Sequence, residues 1–143
     1  MMCDRKIPKK LKYILYKTVV RPVLLRGAEC WTVGRREEQI LENTEMRLLR
    51  RIAGVTLRDM IRSEQIREQG GVADIVEKLR EARLRSYGYV IRREEIEGVR
   101  RVMEMEVDGK RKRGRPKKRW EEGIAKDLDE RRLTREDAVD RGE

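Results

Sequence analysis

Histidine and phenylalanine are both absent from this 143-residue chain. Without imidazole there is no Ser-His-Asp or Cys-His catalytic pair, and no zinc site of the kind that relies on histidine. Cysteine occurs only as Cys3 and Cys30. Two such distant thiols cannot form a disulfide framework or a cysteine-rich zinc cage, and both read as reduced intracellular thiols. No run of about 18 apolar residues exists, so no segment reads as membrane-spanning. The start, Met1-Met2-Cys3-Asp4-Arg5-Lys6, has no apolar stretch behind it and does not read as a secretory signal. Aromatic residues make up 4% and hydrophobic residues 38%, against 45% charged. Such a chain can bury only a thin core, so narrow amphipathic helices with wide wet faces are expected, in one domain or two small ones.

A catalytic centre is also missing from the pattern. Glu37-Glu38, Glu94-Glu95 and Glu121-Glu122 are adjacent pairs, and neighbours on a helix diverge too far to share a metal or a proton. Asp127 and Asp129 diverge as well; lying between Lys126 and Arg131, they read as a salted surface. There is no glycine-rich phosphate loop and no nucleophile beside a base. The chain therefore reads as a non-enzyme, with no cofactor, no metal and no small-molecule substrate.

What is abundant is positive charge. The net charge is +10, which points to a polyanionic partner. Residues 110–119 hold eight Lys/Arg and no acid, whereas residues 120–143 hold five Lys/Arg against nine Asp/Glu. The segment Lys110-Arg111-Lys112-Arg113-Gly114-Arg115-Pro116-Lys117-Lys118-Arg119 is dense enough to neutralise several phosphates and release their counterions. Repulsion among its charges predicts disorder in its first half until an anion is met. It also reads as a nuclear import signal. Arg113-Gly114-Arg115-Pro116 has the form of an AT-hook core, whose arginines lie along a narrow A·T-rich minor groove while glycine allows the backbone to approach. Arg92, Arg93, Arg100 and Arg101 are supporting candidates for phosphate contact. Six aromatics, Tyr13, Tyr16, Trp31, Tyr87, Tyr89 and Trp120, offer faces for base stacking. Trp120 is the first choice because it follows the cations, although packing on Ile124 competes.

Along the chain, Pro8 opens a helix carrying Leu11, Ile14, Leu15, Val19, Val20 and Val23, which Pro22 is expected to kink or end. Residues 28–33, between Gly27 and Gly34, read as a short extended stretch. A second helix, about Arg36 to Ala53, carries a stripe of Ile40, Leu41, Leu48, Leu49 and Ile52 and stops at Gly54. Its outer face holds Arg47, Arg50 and Arg51, a solvated face in the simplest reading. Thr56 with Asp59 marks a helix start, Ser63 is a candidate cap for a short helix, and Gly70-Gly71 breaks it. Asp74 starts a long helix with Ile75, Val76, Leu79, Ala82, Tyr87, Val90 and Ile91. Short helix, glycine turn and longer helix give the outline of a helix-turn-helix, although most such pairs only pack together. Residues 98–109 form an alternating piece ending in a turn at Asp108-Gly109. Pro116 can open another helix, where Trp120, Ile124 and Leu128 make one apolar edge, and Thr134 with Asp137 predicts a capped final helix around Ala138. The expected fold is all-α: about five amphipathic helices with a basic, partly disordered linker.

The run Leu15-Tyr16-Lys17-Thr18-Val19-Val20-Arg21-Pro22-Val23-Leu24-Leu25-Arg26-Gly27-Ala28-Glu29-Cys30-Trp31 resembles the segment that follows the palm in non-LTR (LINE-type, RTE-like) retrotransposon reverse transcriptases. The resemblance continues through Glu45-Met46-Arg47-Leu48-Leu49-Arg50, Ile61-Arg62-Ser63-Glu64-Gln65-Ile66-Arg67, Leu79-Arg80-Glu81-Ala82-Arg83-Leu84-Arg85 with Tyr87-Gly88, Arg113-Gly114-Arg115-Pro116-Lys117-Lys118-Arg119-Trp120, and Leu133-Thr134 to Asp140-Arg141. It covers roughly residues 7–141, in consistent order and spacing. The chain departs at Ser86-Tyr87-Gly88-Tyr89-Val90, where the family commonly reads Trp-Tyr-Gly-His-Val.

The resemblance implies a thumb-like segment at 1–33, a helical post-thumb region at 34–97, a basic linker at 98–119 and a helical tail at 120–143. It further implies a non-catalytic C-terminal fragment of an RNA-directed DNA polymerase, and the basic segment 110–119, read as an import signal, points to the nucleus. The partners would be element RNA, an RNA–DNA hybrid or target DNA, with no membrane involved. Two other readings stand beside it: a domesticated A·T-rich DNA-binding or chromatin protein, and a relic without present function.

Overall fold

The computed structural model describes residues 6–92, 98, 101, 102, 105, 114 and 118–137. Among these, every regular element is helical and none is a strand, as the sequence led us to expect. The chain divides into two compact units, one of Met1–Ala28 with Val33–Leu79 and one of Glu29–Thr32 with Arg80–Glu143. No helix among the described residues is long and apolar enough to cross a membrane.

The first unit opens with α1 (Lys9–Leu15) and α2 (Arg21–Leu25), joined by a wide π turn over Tyr16–Val20. Pro22 does not end the helix, which continues to Leu25; the break in α geometry expected near it is the π turn just before it. Proline removes one N–H and crowds the carbonyl four residues back, and the π turn just before it accommodates both. The Arg21 N–H reaches Tyr16 O across the turn. The helix stops instead at Arg26, which turns extended, followed by Gly27 at φ 74°.

The stretch 28–33 is not extended. Ala28–Cys30 is a 3-10 turn, and Trp31–Val33 carry no regular structure. α3 (Arg35–Ala53) follows, its start marked by Glu37 Oε2 accepting the Gly34 N–H at 3.0 Å. It ends at Gly54, whose φ of 73° only glycine adopts without strain, and the Val55 N–H then bonds back to Arg50 O at 3.0 Å.

The Thr56 and Asp59 pair caps only a 3-10 turn, Leu57–Asp59. α4 (Ser63–Gly70) begins at Ser63 itself, so Arg62 and not Ser63 occupies the capping position. α5 (Ile75–Arg92) is capped as expected: Asp74 Oδ1 accepts the Val76 N–H at 2.8 Å.

The core of this unit is Tyr13, Tyr16, Leu49, Ile52, Ala53, Ile66 and Val72, with Val20, Met46, Leu48, Val55 and Ile61 packed around it. Ile40, expected on the buried stripe of α3, is 56% exposed, so the stripe begins one residue later at Leu41. A glycine is required at position 70 by close approach: a Cβ there would lie 2.5 Å from the Tyr13 ring.

In the second unit, α5 contributes its residues from Arg80 onward and α6 (Trp120–Glu130) buries Gly123, Ile124 and Asp127. After α6, Asp137 Oδ2 accepts the Thr134 N–H at 2.6 Å and the Thr134 hydroxyl at 2.7 Å, the predicted cap. The helix expected around Ala138 and the turn at Asp108-Gly109 lie outside the described residues. Of the 98–109 piece, Gly98, Arg101, Val102 and Met105 are described; the first three are helical and Met105 carries no regular structure.

Candidate nucleic-acid interface

The cationic segment leads directly into α6, so what holds α6 in place holds one end of the segment. Arg119 is the extended residue before the helix, and Glu121 and Glu122 place negative charge in its first turn, where the helix dipole favours it. The Trp120 indole N–H donates to Glu29 O at 2.8 Å, and its ring meets Tyr87 edge-on at 6.1 Å.

Beneath this, Arg83 Nε and Asp127 Oδ2 form an ion pair at 3.0 Å with both side chains almost completely buried. Arg80 adds a second cation, 2.6 Å from Glu130 and 3.9 Å from Asp127. Asp127 is therefore no surface residue, as its neighbours Lys126 and Arg131 had suggested. It sits on the buried face beside Ile124, and burial of its charge is tolerated only because Arg83 meets it there. Glu130 stays on the surface; the hydrogen bond from Lys126 holds its carboxyl below the ordinary range, assisted by Arg80.

The candidate phosphate-binding residues fall into two groups. Lys118 and Arg119 are exposed at the start of α6, and Arg101 is exposed as well. Arg92 is the last residue of α5 and is half-buried, its guanidinium lying over the backbone of Gly88. Gly114 is described with φ 143°, a conformation that L side chains rarely adopt. Lys110, Arg111, Lys112, Arg113, Arg115, Pro116, Lys117, Arg93 and Arg100 lie outside the described residues. Trp120, the candidate for base stacking, is engaged with Tyr87 and Glu29, whereas Trp31 is 71% exposed.

The first unit carries a basic feature of its own. Thr44, Arg47, Leu48, Arg50, Arg51, Val55 and Thr56 line a shallow concavity of about 550 Å³. Arg50 is fixed at its edge, donating to Ile61 O at 3.0 Å and to Thr56 O at 3.5 Å.

A buried polar cluster that periodicity missed ties this unit together. Glu45, on the apolar stripe of α3 and fully buried, accepts hydrogen bonds from the Tyr16 hydroxyl at 2.6 Å and Arg21 Nη2 at 2.7 Å. Its other oxygen accepts from Arg67 Nη2 at 3.3 Å. Arg67 also pairs with Asp74 at 3.1 Å, Arg21 donates to Ala73 O, and the Arg21 guanidinium lies 5.5 Å over the Tyr16 ring. Burial, reinforced by the bond to Glu45, raises the Tyr16 pKa, so the hydroxyl remains a donor. The cluster joins α2, α3, α4 and the start of α5 and reads as a scaffold. Among the described residues no group of three or more His, Cys, Asp or Glu side chains is placed to hold a metal ion.

No family model matches the chain, and no solved structure matches it. The sequence is 30% identical over 126 residues to an uncharacterised transposon-derived protein of Caenorhabditis elegans, an alignment that takes in 84% of this chain and 45% of that protein. The chain thus spans about half the length of the curated relative it matches. By this likeness the chain is similar to a transposon-derived protein, along most of its length.

Proposed function

We propose that this chain is the nucleic-acid-binding, non-catalytic C-terminal part of a non-LTR retroelement reverse transcriptase, gripping RNA, an RNA–DNA hybrid or target DNA in the nucleus through its phosphates. The observation that carries the reading is the run of eight cations without an acid at 110–119, continuing into α6. Similarity to a transposon-derived protein supports it, as does the resemblance to reverse transcriptases described above. The binding residues are Lys110, Arg111, Lys112, Arg113, Arg115, Lys117, Lys118 and Arg119, with Arg92, Arg93, Arg100 and Arg101 in support. The same run serves as a nuclear import signal.

A salt titration tests the reading. If about six phosphates are engaged, the log–log slope of affinity against salt is about −5 on duplex DNA. Changing Lys110, Arg111, Lys112 and Arg113 to Ser flattens it by several units. No binding at about 50 mM salt by the unsubstituted chain sinks the assignment.

The second reading is favoured by Gly114. It stands within Arg113-Gly114-Arg115-Pro116, the form of a minor-groove core, and its φ of 143° is one that L side chains rarely adopt. A preference for A·T-rich over G·C-rich duplex at matched salt, lost in Gly114→Ala, would select it.

A further inference from the structure

We infer that Trp31 is a stacking platform for an unpaired base, set beside the cations that hold the phosphates, so that the chain prefers single-stranded nucleic acid to duplex. The inference rests on the nucleic-acid reading above and names the form of nucleic acid recognised.

It begins from an exposure that folding does not explain. Tryptophan is on average highly buried, yet Trp31 is 71% exposed, and Cys30 and Thr32 on either side are exposed with it. The chain's other tryptophan shows the ordinary use of an indole: Trp120 donates its N–H at 2.8 Å and packs its ring on Tyr87. Trp31 has an indole of the same size and contributes little of it to the core of its unit.

The position of Trp31 is set by the same hydrogen bond that anchors Trp120. Glu29 O receives the Trp120 indole N–H, which brings the 29–32 turn up to the start of α6 within the second unit. Trp31 is two residues from Glu29, a reach of at most about 7 Å along the chain. Arg119 immediately precedes Trp120, Lys118 precedes Arg119, and both are exposed. One hydrogen bond therefore ties the backbone two residues before a bare aromatic face to the side chain that follows the last two cations of the basic segment.

That combination is what a single strand needs. Phosphates follow the cations, and a base with no partner lays its face on an aromatic ring, whatever its identity. In a duplex the bases are already stacked, and the indole gains nothing from them. Cations alone make no such distinction between strand forms.

The experiment compares the full chain with Trp31→Ala and Trp31→Tyr on two ligands, an unstructured oligo(dT) and a duplex of equal phosphate number. It reads Kd, the salt slope and tryptophan fluorescence. In Trp31→Ala, affinity for oligo(dT) is expected to fall about tenfold or more, with the salt slope unchanged and duplex affinity unchanged. Trp31→Tyr, which keeps an aromatic face, recovers most of the loss. Quenching of tryptophan emission by oligo(dT) is expected in the unsubstituted chain and disappears in Trp31→Tyr, where only Trp120 remains.

Oligo(dT) affinity within twofold of the unsubstituted chain in Trp31→Ala overturns the inference while leaving the nucleic-acid reading intact. So does an equal loss on both ligands. If the unsubstituted chain binds neither ligand, the underlying reading fails and the inference falls with it.

Discussion

Glu45 sits with its carboxylate fully buried among the Tyr16 hydroxyl and the guanidinium groups of Arg21 and Arg67, at 2.6, 2.7 and 3.3 Å. Glu45→Ala removes the one anion at the centre and leaves two cations and a buried phenol without their acceptor. Breaking a buried ion pair from one side costs about 3–5 kcal/mol. Part of that is offset, because Arg67 keeps Asp74 at 3.1 Å and Arg21 keeps the Ala73 carbonyl and the face of the Tyr16 ring. The expected loss is therefore near the lower end, about 3 kcal/mol. Glu45→Gln keeps the volume and an acceptor oxygen but not the charge. Hydrogen bonds to charged groups contribute roughly twice as much as neutral ones, so about half that loss is expected. Urea unfolding followed by far-ultraviolet circular dichroism gives both values, and amide hydrogen exchange along α3 localises them. A loss under about 1 kcal/mol for Glu45→Ala would refute the argument that this cluster organises the first unit. Equal losses for the two variants would show that shape and not charge matters.

Asp127→Ala strands the buried Arg83 guanidinium and should destabilise the second unit by about 3–5 kcal/mol. Tryptophan fluorescence during urea unfolding reports it, since Trp31 and Trp120 both belong to that unit. Asp59 has its pKa held below the ordinary value by hydrogen bonds from the Thr56 backbone and hydroxyl. A carboxylate depressed in the folded state lends stability above its unfolded pKa, and that stability is lost as pH falls through the folded value, here below about pH 4. Thr56→Ala should weaken this acid sensitivity, and thermal melts of both proteins at neutral and acid pH check it. Serine at Lys110, Arg111, Lys112 and Arg113 should flatten the salt slope of nucleic-acid binding without moving the melting temperature, because these side chains are expected on phosphate and not in the core.

The helical architecture was legible because apolar spacing and glycine stops carry it: α3 ends at Gly54, α4 at Gly71, and α5 starts on Asp74 as read from the sequence. Charge on an apolar stripe was not legible. Glu45 lies midway in the series Leu41, Glu45, Leu49, and Arg83 midway in Leu79, Arg83, Tyr87, where periodicity has a gap and the usual assumption is water. A signal was present, for a carboxylate on one buried face needs a cation on another, and Arg21 and Arg83 were available. Sequence position favoured Trp120 over Trp31 as the stacking residue, because Trp120 follows the cations. The bond from Trp120 to Glu29 and its contact with Tyr87 separate the indole that is packed from the one that is bare. Most of the cationic segment was legible as charge alone.

The π turn at Tyr16–Val20 sets a rotational phase. In a regular α-helix, residues five apart point about 140° away from each other, at 100° per residue. The wide turn brings Arg21 back over Tyr16, so both meet Glu45 from one side. It thereby lets a single helix present two differently timed patterns, one before residue 16 and one after residue 20. Deleting a residue within the turn would leave a continuous, well-bonded helix with proline still inside it. The helix would nonetheless arrive at Arg21 out of step by one position, with the guanidinium swung away from the carboxylate it neutralises. A shortened relative could thus keep every helix of this unit and still lose the register that holds them together.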